Sequence, residues 1–195
     1  MAEEATGRLP LRSSELGWPL TELWVTGDLL DPTDVVEDNA VILVLDVLAE
    51  ELPWLAQHPA GEWVGDVLRA GKRPFLWSYR SQHGPVGNHR NRRLVRFWCA
   101  SSGLDEEVIE GLRHRRLVEL PVVEVADDQL ALELPAELER SRRHLRTVVD
   151  GYWSPGWRRA HKGYDRSPED TLWRAASAVT EMEEALAAIA AGSGV

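Results

Sequence analysis

A single cysteine, Cys99, in 195 residues excludes an internal disulfide and any zinc centre built from several thiolates. Long apolar runs are also missing. The longest clean stretch, residues 40–45, falls far short of the roughly 20 residues that a membrane-spanning helix needs. The first residues, MAEEATGRLPLR, are acidic and carry no signal-peptide core, so a cytoplasmic protein with no membrane partner is expected. Lysine is nearly absent, with Lys72 and Lys162 set against twenty arginines. Together with abundant Ala and Val, that bias suggests the codons of a GC-rich bacterial genome rather than a function. No Gly-x-Ser-x-Gly elbow, Gly-x-x-x-x-Gly-Lys loop or His-Glu-x-x-His pair occurs, which removes the best-marked routes to nucleophilic, phosphate-loop and zinc hydrolase chemistry.

Charge of one sign is missing twice. Between Ser13 and Leu68 there are twelve Asp or Glu and no Lys or Arg; between Val67 and Leu104 there are eight Lys or Arg and no Asp or Glu. The net charge of −10 argues against an unspecific nucleic-acid binder. The segregation leaves two readings open. The acidic and basic surfaces face each other, within the chain or across a dimer, or the basic stretch forms a groove for phosphates.

What is present describes a globular α/β (α+β) protein: a mixed sheet packed by helices, with two further helices at the C-terminal end. At this length a chain buries about 70% of its unfolded surface, and nine tryptophans supply large packing area, each with an indole N–H to satisfy. Alternation predicts a strand over residues 20–26 ending at Gly27, and the apolar run 40–47 a covered central strand. The Asp-, Pro- and Thr-rich residues 28–39 between them read as a loop. Residues 59–71 have helical spacing with Gly71 as the stop. Residues 74–79 and 94–99 read as strands joined by a loop over 81–91. A helix over 104–115 and a strand over 117–125, with Pro121 favouring an edge, complete the sheet region. Helices are expected over 136–152 and from Ser167-Pro168-Glu169-Asp170 onward, where an N-cap serine, a first-position proline and two acids mark a start. The resulting division is an N-terminal segment (1–19), an α/β core (20–134) and a helical part (135–192), with a bend expected over 152–165.

Strand, glycine turn, acidic loop and apolar strand, in that order, resemble the start of the minimal nucleotidyltransferase fold. The resemblance implies a Gly-Ser pair cradling phosphates after the first strand. It also implies an Asp-x-Asp or Asp-x-Glu pair on the second strand, whose i and i+2 side chains share one face and so one magnesium. Gly27-Asp28 stands where the Gly-Ser pair would be, and Asn39 and Val41 stand where the ligands would be. Asn is a poor magnesium ligand and Val is none. A one-residue slip pairs Asp38 with Ala40, and Asp46 lies at the far end of the strand. On this resemblance the core is inactive and binds no metal.

The whole chain, from about residue 20 to 185, also resembles an actinobacterial family known only as a domain of unknown function. The features that carry this are LWVTGDLLD from Leu23, LVLDV from Leu43, Pro53-Trp54, Glu62-Trp63 and Pro74 with Trp77. Further along they are Pro85-Val86-x-Asn88-His89-Arg90, Val95-Arg96-Phe97-Trp98, Tyr152-Trp153 and Leu172-Trp173-Arg174. This resemblance implies a shared fold and brings no known activity with it.

The candidate ligand-binding residues are Gly27, Asn88, His89, Arg90, Arg92 and Arg93. Arginine suits phosphate because its planar guanidinium donates two parallel hydrogen bonds, and Trp77, Tyr79, Phe97 and Trp98 offer faces for stacking. The competing reading makes those aromatics core and pairs the arginines with the acidic half. His83 and His89 are spaced too loosely to suggest a metal site, Cys99 reads as buried packing, and His114 as a solvated basic helix end. No cofactor is implied. The leading functional reading is a non-catalytic nucleotidyltransferase-like protein that binds a nucleotide, an RNA or a protein partner. The alternative is an interaction or homodimerisation module with complementary acidic and basic faces. A third reading is an enzyme with a relocated site using His89 with Asp38 or Asp46.

Overall fold

The computed structural model of the protein describes residues 1–8, 17–32, 39–163 and 167–192, and the chain forms two compact units. The first, residues 1–51 and 58–125, is built on a mixed sheet. Strand β1 (Leu20–Gly27) pairs antiparallel with β2 (Asn39–Leu45), and β2 pairs parallel with β3 (Leu76–Ser81). On its other side β1 pairs antiparallel with β4 (Arg93–Cys99). Two-residue strands, β5 (Gly103–Leu104) and β6 (Val123–Glu124), pair with opposite ends of β4. Among the described strands the order is β3-β2-β1-β4-β5, with β3 at one edge.

The pattern of side chains explains the layering. From Val41 to Leu45 every residue of β2 is buried, as its unbroken apolar run requires of a strand covered on both faces. Helix α2 (Pro59–Val67) supplies the crossover between the parallel strands. Its start is fixed by Pro59 and by the His58 imidazole, whose Nδ1 accepts from the Ala60 N–H at 3.2 Å. The Tyr79 ring of β3 lies directly against Gly61 and Gly65 of α2, which assigns one face of the sheet to this helix. Helix α1 (Ala2–Arg8) belongs to the same unit: Thr6 accepts from the indole N–H of buried Trp98 at 2.8 Å. Helix α3 (Glu106–Arg113) is capped by Asp105, whose carboxylate accepts from Val108 N–H, and ends at exposed His114.

The expected strand over 117–125 is largely absent. Leu117–Glu119 form a 3-10 turn, and only Val123 and Glu124 pair with β4. Pro121 brings no N–H to a ladder, and Val122 N–H folds back onto the Leu120 carbonyl. The residues between Pro32 and Asn39, including Asp38, lie outside the described residues.

The second unit comprises residues 52–57 and 126 onward. Helix α4 (Asp127–Gly151) and helix α6 (Pro168–Gly192) run antiparallel, with the short helix α5 (Pro155–Ala160) in the connection where the sequence predicts a bend. Helix α6 starts as its sequence demands: the Ser167 hydroxyl accepts from Asp170 N–H at 3.0 Å. Helix α4 begins nine residues before the position expected from sequence and carries Pro135 inside it. Pro135 is exposed, whereas Leu130, Leu134 and Leu138 are buried in one stripe. Burying three leucines outweighs one lost helical bond. Leu134 and Leu138 pack with Ala178, Met182 and Trp54, and the Trp54 indole donates to Glu181 at 3.2 Å.

Candidate functional site

Strand directions bring several of the candidate residues to one end of the sheet. Because β1 runs antiparallel to both β2 and β4, Gly27, Asn39 and Arg93 all lie at that end, and Gly27 is the direct partner of Asn39. Gly27 has φ 91°, a conformation from which a side chain is excluded on steric grounds, and from it the chain enters the 3-10 turn Asp28–Leu30. Val41, two residues into β2, is buried opposite Val25.

Arginines lock this turn. Arg93 pairs with Asp31 and, on its other side, reaches Glu124 at 3.3 Å. Arg115 donates to the carbonyls of Leu29 and Asp31, at 3.1 and 2.6 Å. Arg115 itself adopts φ 54° after α3, where the Arg116 N–H returns to the Gly111 carbonyl. The turn that the nucleotidyltransferase resemblance assigns to phosphates is therefore tied down by two guanidinium groups.

The loop over 82–92 has a long way to go. Ser81 lies beside Leu45, while Arg93 lies near Gly27, so the loop must run the length of the sheet and pass two strands. Buried Arg80 anchors its first part, with Nε and one terminal nitrogen donating to the Pro85 carbonyl at 3.0 and 2.7 Å. Gly87 anchors the middle, because a Cβ there would stand 2.4 Å from Val125 and 2.8 Å from Leu94. Asn88, 1% exposed, sets the turn that follows. Its Oδ1 accepts from the N–H groups of Arg90 and Asn91 at 2.9 and 2.8 Å, and its own N–H donates to the Asn91 carbonyl. The Asn88 Nδ2 is buried with no hydrogen-bond partner. His89 is half-buried, with both ring nitrogens out of solvent, whereas Arg90 and Arg92 are exposed. Of the six candidates, then, Gly27 and Arg93 meet at one turn, Asn88 organises the loop backbone, and Arg90 and Arg92 present their side chains to solvent.

The neighbouring aromatics divide. Phe97 and Trp98 are core, Tyr79 packs on α2, and Trp77 is 39% exposed. Further along the sheet, Glu22 on β1 accepts from Arg96 at 2.7 Å and from the Trp24 indole at 2.8 Å, with the Arg96 guanidinium over the Trp24 ring. Asp46 lies at the opposite end, bonded to Gln82 and 3.4 Å from His83. Cys99 is buried, as expected, with its sulfur 3.2 and 2.9 Å from the Ser101 and Ser102 hydroxyls. Burial opposes ionisation of this thiol, but the hydroxyl and backbone groups of those two serines outweigh it and lower the thiol to about 7.

Sequence reasoning did not identify Asp31, Glu22 and Glu124 as partners of these arginines, since no local pattern points across so many residues. Ser101 and Ser102, two and three positions after Cys99, were a local signal for the thiol environment. Among the described residues no group of three His, Cys, Asp or Glu could hold a metal ion. No described helix is long and apolar enough to cross a membrane. A family model described as a domain of unknown function (DUF7711) matches residues 1–188. No curated protein and no solved structure matches the chain.

Proposed function

The chain belongs to the DUF7711 family, and from that premise we propose that it is a non-catalytic binding protein on a nucleotidyltransferase-like order of strands, whose partner is another protein chain. The observation that carries this reading is the use made of the basic segment. Arg93 is held by Asp31 and Glu124, and Arg96 by Glu22, so acidic and basic stretches neutralise each other inside one chain. Arg80 is spent on a backbone carbonyl. A groove for a polyphosphate needs such groups aimed outward. The strand end where magnesium would sit offers Asn39 and Val41, and Val41 is buried, which supports a core without transferase chemistry.

A second reading keeps the phosphate ligand. It is favoured by the exposure of Arg90 and Arg92 on a loop whose backbone Asn88 fixes. Gly27, Asn88, His89, Arg90, Arg92 and Arg93 then line a site for a nucleotide or RNA phosphate.

One experiment separates the two: thermal melting of the wild type and the Arg90→Ala/Arg92→Ala/Arg93→Ala variant, with nucleoside triphosphates or short RNAs, with and without magnesium. If the arginines serve internal pairing, the variant melts a few degrees lower and no ligand shifts either protein. Partly exposed pairs are worth about 1 kcal/mol or less each, and each kcal/mol moves a chain of this size by about 2–4 °C. A ligand at 100 times its dissociation constant adds about 2.7 kcal/mol. A stabilisation of that size in the wild type, lost in the variant, would replace the protein-partner reading with the phosphate one.

A further inference from the structure

The sheet has an open side whose chemistry specifies its own partner. Strand β3 is an edge of the sheet, and no strand among the described residues pairs with its outer side. Exposed edges usually carry a device against pairing: a lysine, a proline, a bulge or an inward charge. Within Leu76–Ser81 there is no Lys, Asp, Glu or Pro. The one charged residue, Arg80, is an inward charge, but its guanidinium is met by the Pro85 carbonyl, and no charged side chain of the strand stands exposed on the edge. The strand instead shows large apolar side chains at its open end, with Leu76 66% exposed and Trp77 39% exposed.

The two ends of this edge carry opposite charge. Before β3, in the residues that follow α2, lie Arg69 and Lys72, both exposed, and Arg73. Asp66 at the end of α2 and Glu4, which pairs with Arg73, offset part of this charge and leave the end basic on balance. After β3 the chain meets the acidic turn that follows β2. Gln82 N–H donates to the Leu45 carbonyl, Gln82 binds Asp46, and Gly84 lies against Ala49. That turn presents Asp46, Glu50 and Glu51, all exposed. A strand polarised in this way suits one arrangement. Paired antiparallel with a second copy of itself about a two-fold axis, it sets each basic end beside the other's acidic end. A parallel copy would set like against like.

We propose that β3 is the homodimerisation strand of this protein, joining two sheets edge to edge in antiparallel orientation, with Arg69 and Lys72 of one protomer facing Glu50 and Glu51 of the other. This rests on the protein-partner reading above and names the partner as a second copy. Backbone hydrogen bonds supply the attraction common to all strand additions. Leu76 and Trp77 supply the apolar contact, and the end charges choose the antiparallel orientation.

The test reads mass. Sedimentation or light scattering of the wild-type chain should give a dimer whose dissociation constant rises with salt, because exposed charges are screened. Leu76→Lys places a charge on an already exposed position of the edge and should weaken the dimer by about tenfold or more, equivalent to about 1.4 kcal/mol. The charge variants give an answer independent of that strand substitution. Arg69→Glu/Lys72→Glu makes both ends acidic, and Glu50→Lys/Glu51→Lys makes both ends basic, so each alone should shift to monomer. Mixing the two should restore a mixed dimer, in which both end contacts are again attractive. A wild type that stays monomeric at the highest soluble concentration overturns the proposal, as does a dimer indifferent to Leu76→Lys and to both charge variants. A monomer that also binds no phosphate ligand removes only the second copy as partner; a phosphate ligand removes the protein-partner reading itself.

Discussion

Replacing Asn88 by alanine tests whether this residue is a ligand contact or the organiser of its loop. Its Oδ1 accepts two backbone N–H groups, at 2.9 and 2.8 Å, from a side chain only 1% exposed. A net hydrogen bond is worth about 1 kcal/mol, and a donor left without any partner costs about 1–3 kcal/mol. Losing both bonds should therefore lower stability by about 2–4 kcal/mol. At about 2–4 °C for each kcal/mol in a chain of this size, the melting temperature should fall by roughly 4–16 °C. Asn88→Asp is the companion variant. It keeps both acceptor bonds but replaces the unpartnered Nδ2 with part of a buried carboxylate, whose charged form burial disfavours. The two N–H donors favour that charge while burial opposes it, so Asn88→Asp should keep more of the wild-type stability than Asn88→Ala. Melting followed by circular dichroism reads both. An Asn88→Ala protein as stable as the wild type would refute the turn-setting role and return the residue to the set of ligand contacts.

Three other perturbations reach different parts of the molecule. Met182→Ala opens a cavity among Trp54, Leu134, Leu138 and Ala178 and should cost about 2–5 kcal/mol, measured by denaturant titration; a cost below about 1 kcal/mol would contradict the packing. Burial first, and then His161, holds the His144 imidazole below its ordinary value, so unfolding takes up a proton. The stability it contributes is complete above about pH 6.5 and lost as pH falls below that. The melting temperature of His144→Gln should therefore fall less than that of the wild type over this interval, and an unchanged pH profile would count against a depressed imidazole. The Cys99 thiolate, followed by its ultraviolet absorbance, should titrate near 7 and move upward in Ser101→Ala/Ser102→Ala, since the hydroxyls that stabilise the anion are gone; identical titrations would exclude them as its cause.

What the sequence discloses here follows the range of each interaction. The strands β1, β2 and β4 are written in local apolar patterns, and the start of α6 is written in four consecutive residues, Ser167 to Asp170. Helix α4 starts earlier than expected because the leucines on both sides of Pro135 are worth more buried than the helical bond that this proline removes. The strand expected over 117–125 misled in the other direction, since apolar β-branched residues need a neighbour and β4 offers one only to Val123 and Glu124. The pairing of charges was legible as a possibility from two one-sign stretches. Its particulars were not, for Arg93 finds Asp31 across 62 residues and Arg96 finds Glu22 across 74. Nothing local distinguishes an arginine that will be met by a carboxylate from one that faces solvent.

Trp54 has a consequence for the order in which the protein is made. It belongs to a six-residue stretch, 52–57, that lies in sequence between β2 and α2 yet is part of the helical unit, and its indole bonds Glu181 across 127 residues. During synthesis this tryptophan leaves the ribosome early, while Met182 and Glu181 emerge near the end of translation. Its apolar ring must wait, unsheltered by its final neighbours, for almost the whole remaining chain. A ribosome stalled after Val125 would carry a nascent chain whose sheet residues are all present but whose Trp54 has no helices to join, a state open to chaperones in a way that the finished protein is not.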